Sequence, residues 1–193
     1  MQVKSLSDRE LIHAYLDGHE IAFEELFGRH KNKIYTSIYL FVKEESLAND
    51  IFQDTFIKIV KTIRKGKYND EGKFAQWALR ISYNLCVDYF RKDKRNPTVA
   101  PTDEFNIFDV LQDESGNAES RIIRSQTHDK IRQLVDLLPE EQREVVILRH
   151  YSDLSFKEIA DMTKVSINTA LGRMRYALIN IRKMIAEKEI SLQ

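Results

Sequence analysis

Apolar residues recur at three- and four-residue spacing along most of the chain, the period of an amphipathic helix, and the alternation that marks a strand is scarce. Ser7 and Glu10 stand in capping-box spacing at the head of the first helical block. Behind them Phe23, Leu26, Phe27, Ile34, Ile38 and Phe41 form an apolar stripe expected to be core. Wound at about 100° per residue, the helix from Ala48 to Lys65 carries Phe52, Phe56, Ile59 and Ile63 on one side. Asp50, Gln53, Asp54, Ile57 and Lys61 fall on the other. An isoleucine inside a charged face reads as a docking surface, with a singly exposed apolar residue as the ordinary alternative. The next helix, Phe74 to Lys92, puts Phe74, Ala78, Ile81 and Leu85 on one stripe and Lys73, Trp77, Arg80, Asn84 and Arg91 on another. Basic groups beside an aromatic can hold a phosphate backbone and stack unpaired bases; core packing of Trp77 is the competing reading. The basic loop from Arg64 to Lys73, which includes Gly66, Lys67, Tyr68, Asn69 and Gly72, can close over an extruded base or serve as a plain solvated turn.

The pattern changes at Asn96. From there to Ser120 no Lys or Arg occurs, while Asp103, Glu104, Asp109, Asp113, Glu114 and Glu119 accumulate beside Pro97, Pro101 and Gly116. That composition predicts an acidic flexible linker over residues 96–125. Helical signals then resume, with a restart at Leu138-Pro139-Glu140-Glu141 where proline suits a first turn and the acids complement the helix dipole. The expected fold class is all-α, with two small helical domains at 1–95 and 126–193.

The second domain holds the sharpest motif. Ser155 and Glu158 form another capping box, residues 161–165 break the helix, and a second helix starts at Ser166, which is the spacing of a helix-turn-helix. Its second helix winds Ile167, Ala170, Leu171, Met174, Ala177, Leu178 and Ile181 to one side and Thr169, Arg173, Tyr176 and Asn180 to the other. Arg173, Arg175, Arg182 and Lys183 occur there without an acid, so phosphates can be met while Thr169 and Arg173 reach base edges. A solvated basic face is the plainer alternative.

Composition narrows the function classes. The 193 residues include 30 basic and 30 acidic side chains, so net charge alone argues for no nucleic-acid partner and the placement of charges must carry that case. The single cysteine, Cys86, excludes an internal disulfide and a cysteine-rich zinc site, and the histidines are too scattered for zinc spacing. Cys86 sits where a free cysteine behaves as a small hydrophobe. No cofactor, glycine-rich phosphate loop or nucleophile–base pair is indicated, so the chain does not read as an enzyme. A polar start and the lack of a long uncharged run predict a cytoplasmic protein without stable membrane insertion.

Four segments in order carry a family resemblance: Ala22-Phe23-Glu24-Glu25-Leu26-Phe27, Asp50 through Phe56, Trp77 through Asn84, and Leu138-Pro139 through Arg149 followed by Glu158-Ile159-Ala160. Together they resemble the extracytoplasmic-function (ECF) group of sigma factors of bacterial RNA polymerase, within the sigma-70 superfamily. The resemblance implies that Asp50, Gln53, Asp54 and Ile57 contact the coiled-coil clamp of the polymerase largest subunit. It implies that Lys67, Tyr68, Asn69 and Lys73, with Trp77, Arg80, Asn84 and Arg91, engage the minus-ten element as it opens. It further implies that Ser166, Asn168, Thr169, Gly172, Arg173 and Arg175 read the duplex minus-thirty-five element. A tether of residues 96–125 can extend at most roughly 100 Å, enough for promoter elements about 25 base pairs and so roughly 85 Å apart. The family's usual regulator is an anti-sigma protein covering these same faces. Two departures stand out: Lys164 holds a turn position where glycine is common, and Leu171 and Gly172 stand where relatives have basic or polar residues. A conventional helix-turn-helix regulator at an operator is the alternative, and it explains the C-terminal half alone.

Overall fold

The computed structural model describes residues 3–69, 71–93, 131 and 133–187. The predicted acidic linker at 96–125 lies outside them. The chain divides into two compact units, Met1–Phe105 and Asn106–Gln193, and the described residues contain helices and no strand.

In the first unit a 3-10 turn at Val3–Ser5 leads into α1 (Asp8–Leu16), α2 (Glu20–Val42), α3 (Glu45–Arg64) and α4 (Phe74–Asp93). The capping box forms as spaced: the Ser7 amide donates to Glu10 Oε2 at 2.7 Å, and the Glu10 amide donates to Ser7 Oγ at 3.3 Å. Arg29 of α2 fastens the start of the chain by donating to the carbonyls of Leu6 and Lys4 at 2.7 and 3.0 Å. The stripe on α2 is core, with Phe23, Leu26, Ile34 and Ile38 buried. Against it α3 lays Phe52 and Phe56, whose rings meet Phe27 at 5.7 and 4.7 Å and Tyr35 and Phe23 at 5.6 and 5.4 Å. Leu26 has no exposed surface, so truncating it to alanine would cost about 2–5 kcal/mol. Two buried hydroxyls find partners within their own helices: Thr55 donates to the Ile51 carbonyl at 2.7 Å and Ser82 to that of Leu79 at 2.9 Å.

The second unit contains α5 (Glu140–Val146), a π-helical turn (Ile147–Tyr151), α6 (Phe156–Thr163) and α7 (Ile167–Glu187). Pro139 takes the N-cap position of α5. The π turn, closed by the Ser152 amide on the Ile147 carbonyl at 3.2 Å, widens the helix end where Ile147, Leu148 and Leu154 are buried. The second capping box also forms, with the Ser155 amide donating to Glu158 Oε2 at 2.8 Å and the Glu158 amide to Ser155 Oγ at 3.2 Å. Lys164 ends α6 in the left-handed region, φ 59°, and its amide reaches the Ala160 carbonyl. This is the conformation for which glycine is the usual choice, and lysine holds it here at a cost of about 1 kcal/mol. The α7 helix then restarts with the Thr169 amide donating to Ser166 Oγ at 3.0 Å.

One helix face differs from its predicted phase. The buried side of α7 centres on Ala170 and Ala177, with Met174, Ile181 and Met184 packed on Val135, Leu138 and Val146. Arg173 and Asn180 turn toward this side, and Ile167, Leu171 and Leu178 are exposed. The reason is polar pairing with α5, which outweighs the pull of side-chain hydropathy. Asn180 Nδ2 donates to Gln142 Oε1 at 2.8 Å, and the Arg173 guanidinium lies 3.8 Å from both Glu141 Oε1 and Glu144 Oε2.

Candidate polymerase and nucleic-acid interfaces

The α3 helix presents Asp50, Gln53, Asp54 and Ile57 together on one exposed face, with Ile57 46% exposed. Charged neighbours keep this face solvated, and its opposite side is held by Ile51, Thr55, Ile59 and Ile63, all buried. Two open grooves lie along this face, the first of them beside Ile57. One, of about 390 Å³, runs between α3 and α4 and is lined by Asp54, Ile57, Lys61, Lys67 and Leu85 among others. A second, of about 380 Å³, continues past Asp54 and Leu85 to Asp88, Tyr89 and Arg91. Leu85 is therefore half-buried at the groove floor, although the periodicity of α4 places it with the core. Tyr89 and Phe90 add exposed aromatic surface nearby. The sequence signal for these was the second apolar row at the end of α4, which the strip of basic residues overshadowed.

At the other end of α4 the aromatics gather. Tyr68 folds back from the loop onto Trp77 with ring centroids 4.5 Å apart, and Phe74 lies 5.9 Å from Trp77 and 6.1 Å from Tyr68. Trp77 is half-buried, so it belongs both to the packing of this cluster and to the surface. The loop turns at Gly66 and Gly72, which have φ of 62° and 69° and so occupy the left-handed region that favours glycine. Between them Asn69 Nδ2 donates to Glu71 Oε1 at 3.1 Å, while Lys67 and Lys73 are exposed. From Trp77 the exposed Arg80, Asn84 and Arg91 run along one side of α4 for about 20 Å. The structure brings Tyr68 and Lys73 to the Trp77 end of that strip, whereas Lys67 lines the groove with Asp54 and Ile57 and Asn69 stays exposed in the loop. Arg91 lies at the far end, 3.9 Å from Asp88 Oδ1 and in the groove shared with Asp54.

In the second unit Ser166, Asn168, Thr169 and Arg175 are exposed at the start of α7. Ser166 and Thr169 share a hydroxyl–hydroxyl bond of 2.9 Å. Gly172 lies on the same side, and a Cβ there would meet no atom within 4 Å. Arg173 is set apart from these five by its two glutamates and a side chain 22% exposed. Tyr176 lies on the outward face as its spacing placed it, and Leu171 and Ile179 join it there. A wheel drawn on α7 alone puts Leu171 on the buried side, because the acids and amide that rotate the helix lie on α5.

Cys86 is buried, and burial pushes its thiol up to about 12, the setting of an inert structural cysteine. Among the described residues no group of His, Cys, Asp and Glu is placed to hold a metal ion, and no helix is long and apolar enough to cross a membrane.

Sequence comparison places both units. Sigma-70 region 2 matches residues 26–96, and Sigma-70, region 4 matches residues 128–175. The chain belongs to the ECF group of the sigma-70 family. It is similar to the ECF RNA polymerase sigma factor SigW of Bacillus subtilis, 26% identical over 174 residues that cover 88% of this chain and 92% of that protein. The ECF RNA polymerase sigma-E factor of Haemophilus influenzae is 24% identical over 190 residues, 96% of either chain. Among solved structures, CnrH in complex with the cytosolic domain of CnrY aligns with a TM-score of 0.60 at 20% identity, covering 93% of this chain and 97% of that one. The sigma factor RpoE of Bartonella quintana, in complex with the anti-sigma factor NepR, aligns at 0.63 and 16%, covering 85% and 96%. At these identities the structural likeness is one of fold. Within this sigma-70 frame the α3 face, the loop and the α4 strip all fall inside region 2. The region 4 match takes in Glu141, Glu144 and Arg173 and ends at Arg175, short of Tyr176 and Ile179.

Proposed function

We propose that this sigma factor binds core RNA polymerase through α3 and promoter DNA through the Trp77 end of α4 and the outward face of α7. The observation that carries the reading is the pairing, within one chain, of an uncovered acid-and-isoleucine helix face with a helix-turn-helix. An operator-binding regulator has use for the second and none for the first. Asp50, Gln53 and Asp54 supply charge complementarity around Ile57, whose burial on binding supplies apolar contact. Lys67, Asn69, Lys73, Arg80 and Asn84 follow the phosphate backbone of the minus-ten element, and the Tyr68–Trp77 pair offers the aromatic surface on which an unstacked base is held. Capture of that base drives opening without ATP hydrolysis. Arg91, beside Asp54, belongs at the border of the DNA and polymerase surfaces.

In region 4, Ser166, Asn168, Thr169, Gly172 and Arg175 meet the minus-thirty-five duplex, where phosphate contacts fix register and a few side chains specify bases. Arg173 acts as a positioning residue that ties the recognition helix to α5. Such a factor works in the cytoplasm as an initiation factor with no catalytic step of its own, and the faces described are those an anti-sigma protein would cover. Run-off transcription on genomic DNA with core polymerase and the full chain tests the reading. Promoter-specific products absent from core alone are expected, and identical products with and without the chain would overturn it.

A further inference from the structure

From the outward face of α7 we infer that Leu171, set beside the gap at Gly172, reads a thymine through its C5-methyl group. The inference rests on the proposed reading of the upstream duplex by region 4 and specifies one base contact within it. The pairing of Arg173 and Asn180 with α5 fixes which side of α7 is free, and that side carries Asn168, Leu171, Gly172, Arg175 and Tyr176. Glycine weakens a helix interior relative to alanine and needs a reason. The fold supplies none: the backbone of Gly172 is ordinary helix, and a methyl added there would point into open space. A reason outside the chain remains, close approach of a groove wall to the helix backbone.

Leu171 lies next to that gap, 44% exposed although apolar. It stands in the second turn after the Ser166 cap, in the part of a recognition helix that meets base edges. A leucine has no hydrogen bond to offer there. In the major groove the apolar feature that distinguishes one base from the others is the thymine methyl, and bringing the helix close at Gly172 lets Leu171 touch it. Asn168 and Arg175, one turn to either side, supply the polar contacts that fix the helix over that pair.

The test uses holoenzyme assembled from core polymerase and the full chain, on the promoter fragment that yields the run-off product. Each thymine of the upstream element is replaced in turn by deoxyuridine, which lacks the methyl and keeps every hydrogen-bonding group. At one position the replacement is expected to weaken binding about fivefold, and Leu171→Ala holoenzyme is expected to bind both versions equally. Gly172→Leu is expected to weaken binding more than tenfold while the melting temperature of the free protein holds or rises. Binding indifferent to deoxyuridine at every position, or an undiminished Gly172→Leu variant, overturns the inference. Scrambling the whole element separates the two levels. Loss on scrambling with indifference to deoxyuridine sinks the Leu171 contact alone, whereas indifference to scrambling sinks the region 4 reading with it.

Discussion

The outward faces of α3 and α7 are both proposed to meet a partner, yet they were legible in the sequence to very different degrees. On α3 the large apolar side chains other than Ile57 turn inward and the charged ones outward, so hydropathy alone gives the phase. Phe52, Phe56, Ile59 and Ile63 pack as their spacing predicts, and Ile57 stands out against Asp50, Gln53 and Asp54. On α7 apolar residues occur all round the helix, and the choice of buried side falls to Arg173 and Asn180, which have partners on α5. A polar side chain with a partner can be buried where an apolar one without a cavity to fill is left outside. The lesson is that the period of a pattern identifies a helix, and its phase needs the neighbours.

The largest expected effect breaks the α3 side of this comparison. Ile57→Asp should weaken core polymerase binding by more than about 30-fold, as for an interface hot spot, in a fluorescence titration. Its thermal melt should stay unchanged, because Ile57 is outside the core. The next contrasts neighbours on α7. Arg175→Ala should lower promoter affinity about tenfold with stability unchanged. Arg173→Ala should instead destabilise the second unit by about 1 kcal/mol and reduce DNA binding only in proportion. Equal stability for the two variants would return Arg173 to the reading surface.

Smaller effects sharpen how far local rules reach. Lys164→Gly should raise the stability of the second unit by up to about 1 kcal/mol in chemical denaturation, since glycine takes the left-handed conformation at no steric cost. Cys86, with its thiol pushed up to about 12, should resist alkylation at neutral pH until the first unit unfolds. Because its folded value is raised, the thiol's contribution to stability is whole below the ordinary value of 9.0 and declines as pH climbs toward 12.

Much of the fold was readable because local signals agreed. Both capping boxes, the helix restart after Pro139 and the apolar stripe of α2 are short-range features with a single physical outcome, whereas the break expected over 161–165 starts only at Lys164, the helix continuing through Thr163. The candidate site was readable where charge and apolarity separate, as on α3 and along Arg80 and Asn84. It was not readable where a loop folds back, as Tyr68 does onto Trp77, nor where a groove forms between helices and recruits Leu85 and Tyr89. The first depends on how the loop between them turns and the second on how α3 packs beside α4, and no spacing rule within one helix encodes either.

Permanganate footprinting of the run-off promoter probes both faces at once, since opening requires polymerase held by α3 and DNA placed by α7. With core polymerase and the full chain, and no ATP, thymines of the minus-ten element should become reactive. They should stay unreactive with core alone and with Asp54→Ala or Trp77→Ala holoenzyme. Reactivity that needs ATP, or that is the same without this chain, would contradict its assignment as the factor that opens the promoter.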